Sequence, residues 1–498
     1  MMRKSQLQFN TELRVHHPPA LFRSNKIICT IGPSSQSVEV LKDLMKAGLN
    51  VARMNFSHGT YEYHQKTIDN VRKAASELGI HVGIALDTKG PEIRTGLFPA
   101  GDVVIEAHKT VILTTDETFK EKGTAEKFYV DYMNITKVVP VGGHIFVDDG
   151  LLDLIVVKIS GKDIECVAQN THTISNRKGI NLPNADVDLP AVSEKDLMDL
   201  QFGAKNRVDF VFASFIRNAD QVNEVRQAFG GKIAVIAKIE NYQGIDNIDA
   251  IIDAADGIMV ARGDLGVEIP AEKVVIAQKM IMSKCNKVGK TVICATQMLD
   301  SMTHGPRPTR AEVSDVAKSV LDGADCVMLS GETAKGKYPV ETVVYMSRIC
   351  CETQVTMWNM AAFEAIKNLQ SFPLIPEEAI CSSAVNSIFE LHAKAILVLT
   401  NTGRSAHMVS KYRPPVPIIC ASQELDVCRL LSITRGTIPV YYDTEKLGPD
   451  YDREKRVGLA IDVGKQMGVF KEGDVVVAVH ADHHTKGFAN QIRAIYIK

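Results

Sequence analysis

The chain has 498 residues, of which 45% are hydrophobic and 23% charged, and its formal net charge is −2. This length predicts about three or four domains, although a barrel alone can take roughly 250 residues. The balanced charge argues against nucleic acid as the main partner, and no apolar run approaches the ~18–20 residues of a membrane span.

The first residues and the cysteines predict the compartment. The opening stretch MMRKSQLQFNTELRVHHPP is basic but has no apolar core, so it does not resemble a signal peptide. The ten cysteines include no Cys-x-x-Cys pair, and we expect them to be reduced thiols. We therefore expect a cytosolic protein.

Short apolar runs that end abruptly in polar residues recur along the chain, with helical patterns between most of them. They are continuous rather than alternating, which is typical of strands buried on both faces of a parallel sheet. Eight such units predict a (β/α)8 barrel, here over 20–88 and 188–358, after an amino-terminal segment at 1–19. The runs lie at 26–33, 49–59, 81–90, 208–215, 233–241, 256–264, 290–297 and 325–333.

Two further units differ from the barrel. Residues 89–187 carry short alternating stretches separated by Gly, Asp and Asn, which predicts an inserted β-rich, barrel-like domain. It interrupts the barrel where a strand ends, so we expect it to act as a lid. Residues 359–498 predict a smaller α/β domain, whose turn TNTGRSA suits phosphate because it opens a helix.

Catalytic groups of a barrel gather at the carboxyl ends of the strands. We therefore treat the polar residues at or just after the end of a run, together with one glycine, as candidates. These are Arg53, Asn55, Ser57, His58, Asp87, Thr88, Lys89, Glu92, Arg94, Ser214, Lys238, Glu240, Arg262, Gly263, Asp264, Thr296, Gln297, Ser330, Glu332, Thr333 and Lys335.

Lys238 and Glu240 lie two positions apart at the end of the fifth run, so both side chains point the same way. They could form a buried ion pair, or they could belong to a site. Asp264 on the next strand end would add a second carboxylate, and two carboxylates with waters suit magnesium. Together with Arg53 this set favours phosphoryl transfer, in which the protein mainly positions groups and neutralises charge.

A nucleotide loop is harder to find. The stretch GETAKGKY at 331–338 nearly matches the Walker A pattern but has Tyr338 where a Ser or Thr is needed. Lys335 within it either contacts phosphate or is an ordinary solvated lysine.

Many long segments, in order and over nearly the whole chain, resemble the pyruvate kinase family. They are CTIGPSS, ARMNFSHG, ALDTKGPEIRTG, KGINLP, VDLPAVSEKD, ASFIR, AKIEN, GIMVARGDLGVEIP, ICATQML, PRPTRAEVSDVA and VMLSGETAKGKYP. The resemblance implies transfer of phosphoryl from phosphoenolpyruvate to ADP, which gives pyruvate and ATP, the last step of glycolysis. It also implies a homotetramer.

The resemblance assigns roles around the strand ends. Glu240 and Asp264 would bind Mg²⁺ or Mn²⁺, Lys238 would neutralise the phosphoryl group and the enolate, and Arg53 would hold the phosphate. Gly263, Asp264 and Thr296 would seat the substrate, and Thr296 lies where the enolate gains its proton.

The resemblance also implies a potassium ion and a nucleotide site. Asn55, Ser57, Asp87 and Thr88 match the potassium ligands, and Glu92 is the residue of potassium-dependent members. The nucleotide would contact Asn55, Phe56, Ser57, His58, Arg94, Lys178 and Lys335.

The carboxyl-terminal domain resembles the trypanosomatid branch, in which a fructose bisphosphate activates the enzyme. We expect the 2,6 isomer rather than the 1,6 isomer, although the basic residues do not distinguish them. The implied effector residues are Thr400, Asn401, Thr402, Gly403, Arg404, Ser405, Arg453, Arg456, His480, Thr485, Lys486 and Gly487.

Two other functions stay open on the residues alone. A metal-dependent aldolase or lyase barrel also holds an enolate, but it needs neither an ADP site nor an inserted lid. An inactive sensor of a sugar bisphosphate would not need Lys238, Glu240, Asp264 and Thr296 together.

Overall fold

Eight parallel strands close into a barrel in the computed structural model, which describes residues 5–443, 449–482 and 488–498. Each of the eight predicted runs contains one strand, so the predicted barrel is confirmed. In chain order, barrel strands one to eight are Lys26–Thr30, Leu49–Asn55, Gly83–Asp87, Phe210–Ala213, Ala234–Ile239, Gly257–Ala261, Thr291–Ala295 and Cys326–Leu329.

Burial on both faces explains the continuous apolar runs. One set of side chains, including Ile28, Phe212 and Met259, fills the barrel interior. The alternate set packs outward against the surrounding helices, as Ile27 and Val260 do. The helices and 3-10 turns of the barrel are Val38–Ala47, Tyr61–Leu78, Glu194–Lys205, Ala219–Phe229, Tyr242–Asp246, Ile248–Ala254, Arg262–Glu268, Ala271–Val288, Asp300–Thr303, Arg310–Asp322, Gly331–Ala334 and Pro339–Gln354.

Local signals set the ends of these helices. The helix Arg310–Asp322 begins with a capping box, in which the Thr309 hydroxyl accepts from the Glu312 amide and the Glu312 side chain accepts from the Thr309 amide. It ends at Gly323, whose φ of 104° favours glycine.

Between barrel strands three and four lies the insert, a seven-stranded sheet with its own apolar core. A bridge between Thr95 and Val130 joins the two edges of this sheet, which gives the insert its barrel-like closure. Its elements are Ile93–Arg94, Val103–Ile105, Thr110–Thr114, Glu117–Phe119 (3-10), Lys127–Tyr129, Ile135–Val138 (helix), His144–Val147, Leu152–Ser160, Asp163–Ala168, His172–Ile174 and Gly179–Asn181; two of these strands, 103–105 and 172–174, form a separate ribbon.

The carboxyl-terminal sheet has four parallel strands and one antiparallel edge strand. The antiparallel edge strand is Gln491–Tyr496. The other strands are Ile396–Leu399, Ile418–Ser422, Thr437–Tyr441 and Val475–His480, and the helices and 3-10 turn are Asn359–Asn368, Pro376–Leu391, Arg404–Lys411, Leu425–Leu430, Leu431–Ile433 (3-10) and Pro449–Gln466.

The described part of the amino-terminal segment contains a short helix, Gln6–Thr11. Phe9 stacks on Trp358, with ring centroids 5.9 Å apart, so this segment packs near the start of the carboxyl-terminal unit. The domain boundaries given above stay a prediction. Among the described residues, no helix combines the length and the apolarity needed to cross a membrane.

Candidate active site

Lys238 lies at the end of barrel strand five, and its ammonium is surrounded by three oxygens. Nζ lies 2.9 Å from Glu240 Oε1 and 3.1 Å from Asp87 Oδ1, and it donates to Ser214 Oγ at 2.8 Å. The ion pair with Glu240 is therefore present, but it is one part of a cluster that spans three strand ends. The alternatives of ion pair and site do not exclude each other.

Arg53 joins the same cluster from strand two. Its Nε donates to Asp87 Oδ2 at 2.5 Å, and its Nη1 donates to Thr30 Oγ1 at 2.7 Å. One carboxylate, Asp87, thus lies between two buried cations. Burial raises the pKa of Asp87, but Arg53 and then Lys238 outweigh burial, and the net pKa is lowered.

Lys238 keeps its charge despite being buried. Burial alone would lower its pKa, but the carboxylates of Asp87 and Glu240 raise it above the ordinary value. Loss of one member of such a cluster leaves the others buried and uncompensated, which is costly.

Glu240 and Asp264 carry the opposite kind of shift. Burial raises the pKa of Glu240 to about 7, Lys238 opposes this, and the charge of Asp264 adds to it. The pKa of Asp264 is raised by burial and, against the effect of Lys238, by Asp149 and Glu92. Each of the two carboxylates lies close to other negative charge, and a cation bound between them would relieve this repulsion.

The donor set fits a hard divalent ion. Glu240 and Asp264 offer carboxylate oxygens, which Mg²⁺ and Mn²⁺ prefer. The amide of Phe215 donates to Glu240 Oε2 at 2.6 Å and orients that carboxylate. Among the described residues, no three or more His, Cys, Asp or Glu side chains are placed to hold a metal ion together. Two carboxylate ligands would leave coordination positions for substrate oxygens and water.

The predicted potassium ligands lie together at the ends of strands two and three. Asn55 is the register partner of Asp87. Asn55 Oδ1 accepts from the Ser57 amide at 3.0 Å, and Thr88 Oγ1 accepts from the Ser214 amide at 3.1 Å. The structure thus brings four oxygen-bearing side chains to one corner of the barrel, beside the cation cluster.

Thr296 has an unusual backbone. Its φ is 78°, in the left-handed region that a β-branched residue rarely adopts. Its side chain lies against Gly263, where a Cβ would come 2.9 Å from Thr296 Cγ2. The glycine therefore permits the close approach of strand ends six and seven.

The predicted nucleotide residues are more scattered. Arg94 pairs in register with Gly179, next to Lys178, in the part of the insert nearest the barrel. The Arg94 Nε donates to Glu92 at 2.8 Å, and Lys178 Nζ lies 2.9 Å from Asp148 Oδ1.

On the barrel side, Lys335 and His58 are exposed, and Phe56 is not. The Phe56 ring is buried and stacks on His64 at 4.0 Å, so only the backbone of Phe56 could face a nucleotide.

A cleft open to solvent lies between the insert and the barrel. Its walls include Glu92 and Asp149 from the insert side and Asp264 and Glu268 from the barrel side. Asn181 of the insert donates to Glu268 Oε1 at 2.9 Å, and this contact holds the insert over the carboxyl end of the barrel.

The predicted effector loop, 400–405, leads into the helix Arg404–Lys411. Gly403 has φ 82° and its amide donates to Thr400 Oγ1 at 2.9 Å. Arg404 pairs with Glu377, a buried carboxylate that also accepts from the Ser405 hydroxyl at 2.8 Å. Thr402 and Asn401 complete the turn.

The helix Pro449–Gln466, behind the loop, contributes Arg453 and Arg456. Arg456 is buried and donates to Thr400 O, Asn401 Oδ1 and Ala421 O at 2.9–3.3 Å, so its guanidinium braces the loop. His480 is buried beside this helix, and burial lowers its pKa. Thr485, Lys486 and Gly487 lie outside the described residues.

Two residues in these clusters are not among the candidates that the sequence provides, whereas Ser214 is a candidate because it directly follows strand four. Thr30 is the last residue of strand one, and the candidates include no residue from that strand end. Glu377 precedes the effector loop by more than 20 residues, so no local pattern connects it with that loop.

Comparison with known proteins agrees with this architecture. The family model described as pyruvate kinase, barrel domain, matches residues 22–343, and the pyruvate kinase alpha/beta domain matches residues 378–495. The chain is 61% identical over 497 residues to pyruvate kinase 2 of Trypanosoma brucei brucei, covering 99% of this chain and 100% of the relative.

Two further relatives extend the comparison. Pyruvate kinase of Leishmania mexicana is 58% identical over 498 residues, covering 99% of this chain and 100% of the relative. Pyruvate kinase PKLR of Homo sapiens is 47% identical over 499 residues, covering 97% of this chain and 87% of the relative. With its closed barrel, its insert and its carboxyl-terminal α/β sheet, the chain belongs to the pyruvate kinase family of phosphotransferases.

Proposed function

We propose that the protein transfers the phosphoryl group of phosphoenolpyruvate to ADP and forms pyruvate and ATP. The observation that carries this proposal is the buried cluster of Arg53 and Lys238 around Asp87, with Glu240 and Asp264 beside it. Fixed cations next to a pair of metal-accepting carboxylates suit a reaction whose main demand is neutralisation of moving negative charge.

Each side chain of the cluster then has a defined role in the reaction. The bond between phosphorus and the enol oxygen breaks, and a bond forms from phosphorus to a terminal oxygen of ADP. Arg53 holds the phosphate, and Lys238 neutralises both the group in transfer and the enolate left behind. The enolate then takes a proton at its methylene carbon, on the side where Thr296 lies.

Glu240 and Asp264 would hold Mg²⁺ or Mn²⁺. A divalent ion bound there supplies Lewis-acid neutralisation of substrate oxygens. Asn55, Ser57, Asp87 and Thr88 would hold K⁺, and we expect dependence on potassium. Gly263 and Asp264 would seat the substrate carboxylate through their backbone amides at the start of the helix Arg262–Glu268.

ADP would lie between the barrel and the insert. The residues proposed to contact it are Asn55, Phe56 (through its backbone), Ser57, His58, Arg94, Lys178 and Lys335. The insert would exclude water from the cleft, because hydrolysis competes with transfer.

A fructose bisphosphate would bind at the loop 400–405, with Arg453 and His480, and would activate the enzyme. We favour the 2,6 isomer over the 1,6 isomer. The likeness to the two trypanosomatid pyruvate kinases supports this choice, and the buried brace from Arg456 gives the loop a defined shape. We further propose a cytosolic homotetramer.

The test of the catalytic proposal is a coupled assay. Purified protein is supplied with phosphoenolpyruvate, ADP, Mg²⁺ and K⁺, and the pyruvate formed is reduced by lactate dehydrogenase, so NADH absorbance falls. We expect NADH loss that requires both ADP and the divalent ion. Absence of NADH loss with every component present would refute the proposal.

A further inference from the structure

Arg262 is the residue before Gly263 and opens the helix that follows barrel strand six. Its guanidinium does not face the cation cluster. It reaches across to strand seven, where Nη2 donates to Thr296 O at 2.7 Å and Nε donates to Ala295 O at 3.1 Å. One side chain therefore holds two successive carbonyls where strand seven ends.

The guanidinium is itself fixed by Asp315. Nη1 and Nη2 lie 2.6 Å and 2.7 Å from the two carboxylate oxygens, a bidentate pairing that Lys cannot reproduce. Asp315 belongs to the helix Arg310–Asp322, which follows strand seven, so the pairing ties two successive β/α units of the barrel together. The Arg262 side chain is only 14% exposed.

The backbone held by this pairing is the unusual one. Thr296 and Gln297 have φ values of 78° and 52°, and two adjacent non-glycine residues in the left-handed region persist only where surrounding structure imposes them. The hydrogen bonds from Arg262 to the carbonyls of Ala295 and Thr296 are contacts that can impose this backbone conformation.

We propose that Arg262, held by Asp315, is a positioning residue that keeps the Thr296 hydroxyl in place for proton transfer to the enolate. This proposal rests on the proposed function. It gives each residue of the Arg-Gly-Asp stretch a separate role: Arg262 positions Thr296, Gly263 leaves room for the Thr296 side chain, and Asp264 would help to hold the divalent ion.

The test compares Arg262→Lys with wild type. The variant keeps the positive charge but loses the bidentate pairing with Asp315. We expect kcat to fall about tenfold or more, because small misplacements of a catalytic group slow the reaction strongly. The KM for phosphoenolpyruvate should change less than about threefold. Exchange of the pyruvate methyl protons with D₂O, measured in the presence of ATP and Mg²⁺, should slow by a similar factor. The Mg²⁺ activation constant should stay unchanged, because a shift would mean that Arg262 acts through Asp264.

A second variant and a control separate positioning from folding. Asp315→Asn should lower kcat in the same direction, by a smaller factor, because it weakens the pairing without moving Arg262. Arg226 is the matched control. It pairs with Asp256 at 2.9 Å and donates to the Ile233 and Ala254 carbonyls at 3.1 Å, at the opposite end of the barrel. Arg226→Lys should keep wild-type kcat.

A double variant completes the test. In a Thr296→Val background, Arg262→Lys should lower kcat by less than twofold, because the hydroxyl that Arg262 positions is gone. An undiminished effect in that background, or wild-type kcat in either folded variant, would overturn the proposal. If Arg262→Lys fails to fold, the kcat of Asp315→Asn tests the proposal: a lowered kcat supports it, and a wild-type kcat overturns it. An inactive wild-type protein would instead refute the proposed function.

Discussion

Lys238 is held by three oxygens from three neighbouring strand ends. Because Asp87 and Glu240 keep it charged, the ammonium is in place before substrate arrives and need not reorganise during the reaction. Its value to catalysis should therefore appear mainly in the transition state.

Lys238→Met tests this directly. We expect kcat to fall by about 10² or more while phosphoenolpyruvate still binds, because the lost charge matters most as the enolate develops. Steady-state kinetics give kcat, and equilibrium dialysis gives binding. A folded variant with undiminished kcat would remove Lys238 from the mechanism.

The raised pKa of Glu240, about 7, predicts a pH dependence of metal binding. Below this pKa the carboxyl holds a proton that a metal must displace, so affinity should rise with pH, by up to about tenfold per unit below pH 7, and level off above it. Titration of Mn²⁺ by electron paramagnetic resonance at pH 6, 7 and 8 measures this. Glu240→Gln should bind Mn²⁺ weakly and lose the slope, and a wild-type affinity independent of pH would contradict the assignment.

At this scale the sequence predicts well what lies within one strand. The spacing of Lys238 and Glu240 correctly places both charges on one face. It does not predict that Asp87 separates Lys238 from Arg53, because that arrangement depends on how strands two, three and five are brought round by barrel closure. The contacts of Arg262 with Thr296 escape prediction for the same reason.

The short helix Arg262–Glu268 shows how one element combines several requirements. It begins directly at the end of strand six, so Gly263 and Asp264 lie in its first turn, where the main-chain amides of a helix have no helical partner and can bind an anion. Gly263 also has to accommodate Thr296 from the next strand end. A side chain at this position would therefore displace Thr296, even though the φ of Gly263 is not in the left-handed region.

Gly263→Ala is the corresponding prediction. The new methyl group would lie 2.9 Å from Thr296 Cγ2 and must displace it, so we expect kcat/KM for phosphoenolpyruvate to fall about tenfold. Gly266→Ala is the control in the same helix, because its nearest neighbouring atom, Val274 Cγ2, lies at an ordinary 3.7 Å. Equal activity of the two variants would show that the approach to Thr296 has no kinetic role.

Elements are predicted best where burial is complete. All eight barrel strands follow from continuous apolar runs, since both of their faces are covered. The edge strand Gln491–Tyr496 is only partly covered, and its residues are exposed or half-buried without regular alternation, which leaves a weak pattern in QIRAIY. Pairing with Val475–His480, the preceding strand in the chain, makes it a strand.

On the scale of the whole molecule, the carboxyl-terminal unit contacts the barrel at the end opposite to the candidate active site. Arg413 pairs with Asp325 at 2.6 Å and Arg429 with Asp209 at 2.8 Å, and each aspartate directly precedes a barrel strand. Any signal from the loop 400–405 must therefore cross the length of the barrel. We expect activation by a change in domain arrangement rather than by contact.

Replacing Arg453 and Arg456 together by Ala should abolish activation by a fructose bisphosphate. Maximal rate at saturating phosphoenolpyruvate should stay near wild type, because both residues are far from the barrel ends that carry the chemistry. Lys455→Ala, which removes one positive charge from an exposed position on the same helix, is the control. The measurement is enzyme activity as a function of effector concentration. Persistent activation of the double variant would mean that the effector site lies elsewhere.

The central claim is that this barrel moves phosphorus from an enol oxygen to ADP. Phosphorus-31 NMR follows both ends of that transfer in one sample. With wild-type protein, Mg²⁺ and K⁺, the phosphoenolpyruvate resonance should fade at the rate at which the γ-phosphate resonance of ATP grows, and Lys238→Met should slow both equally. Loss of phosphoenolpyruvate with growth of inorganic phosphate alone, or no change in either resonance, would contradict the account.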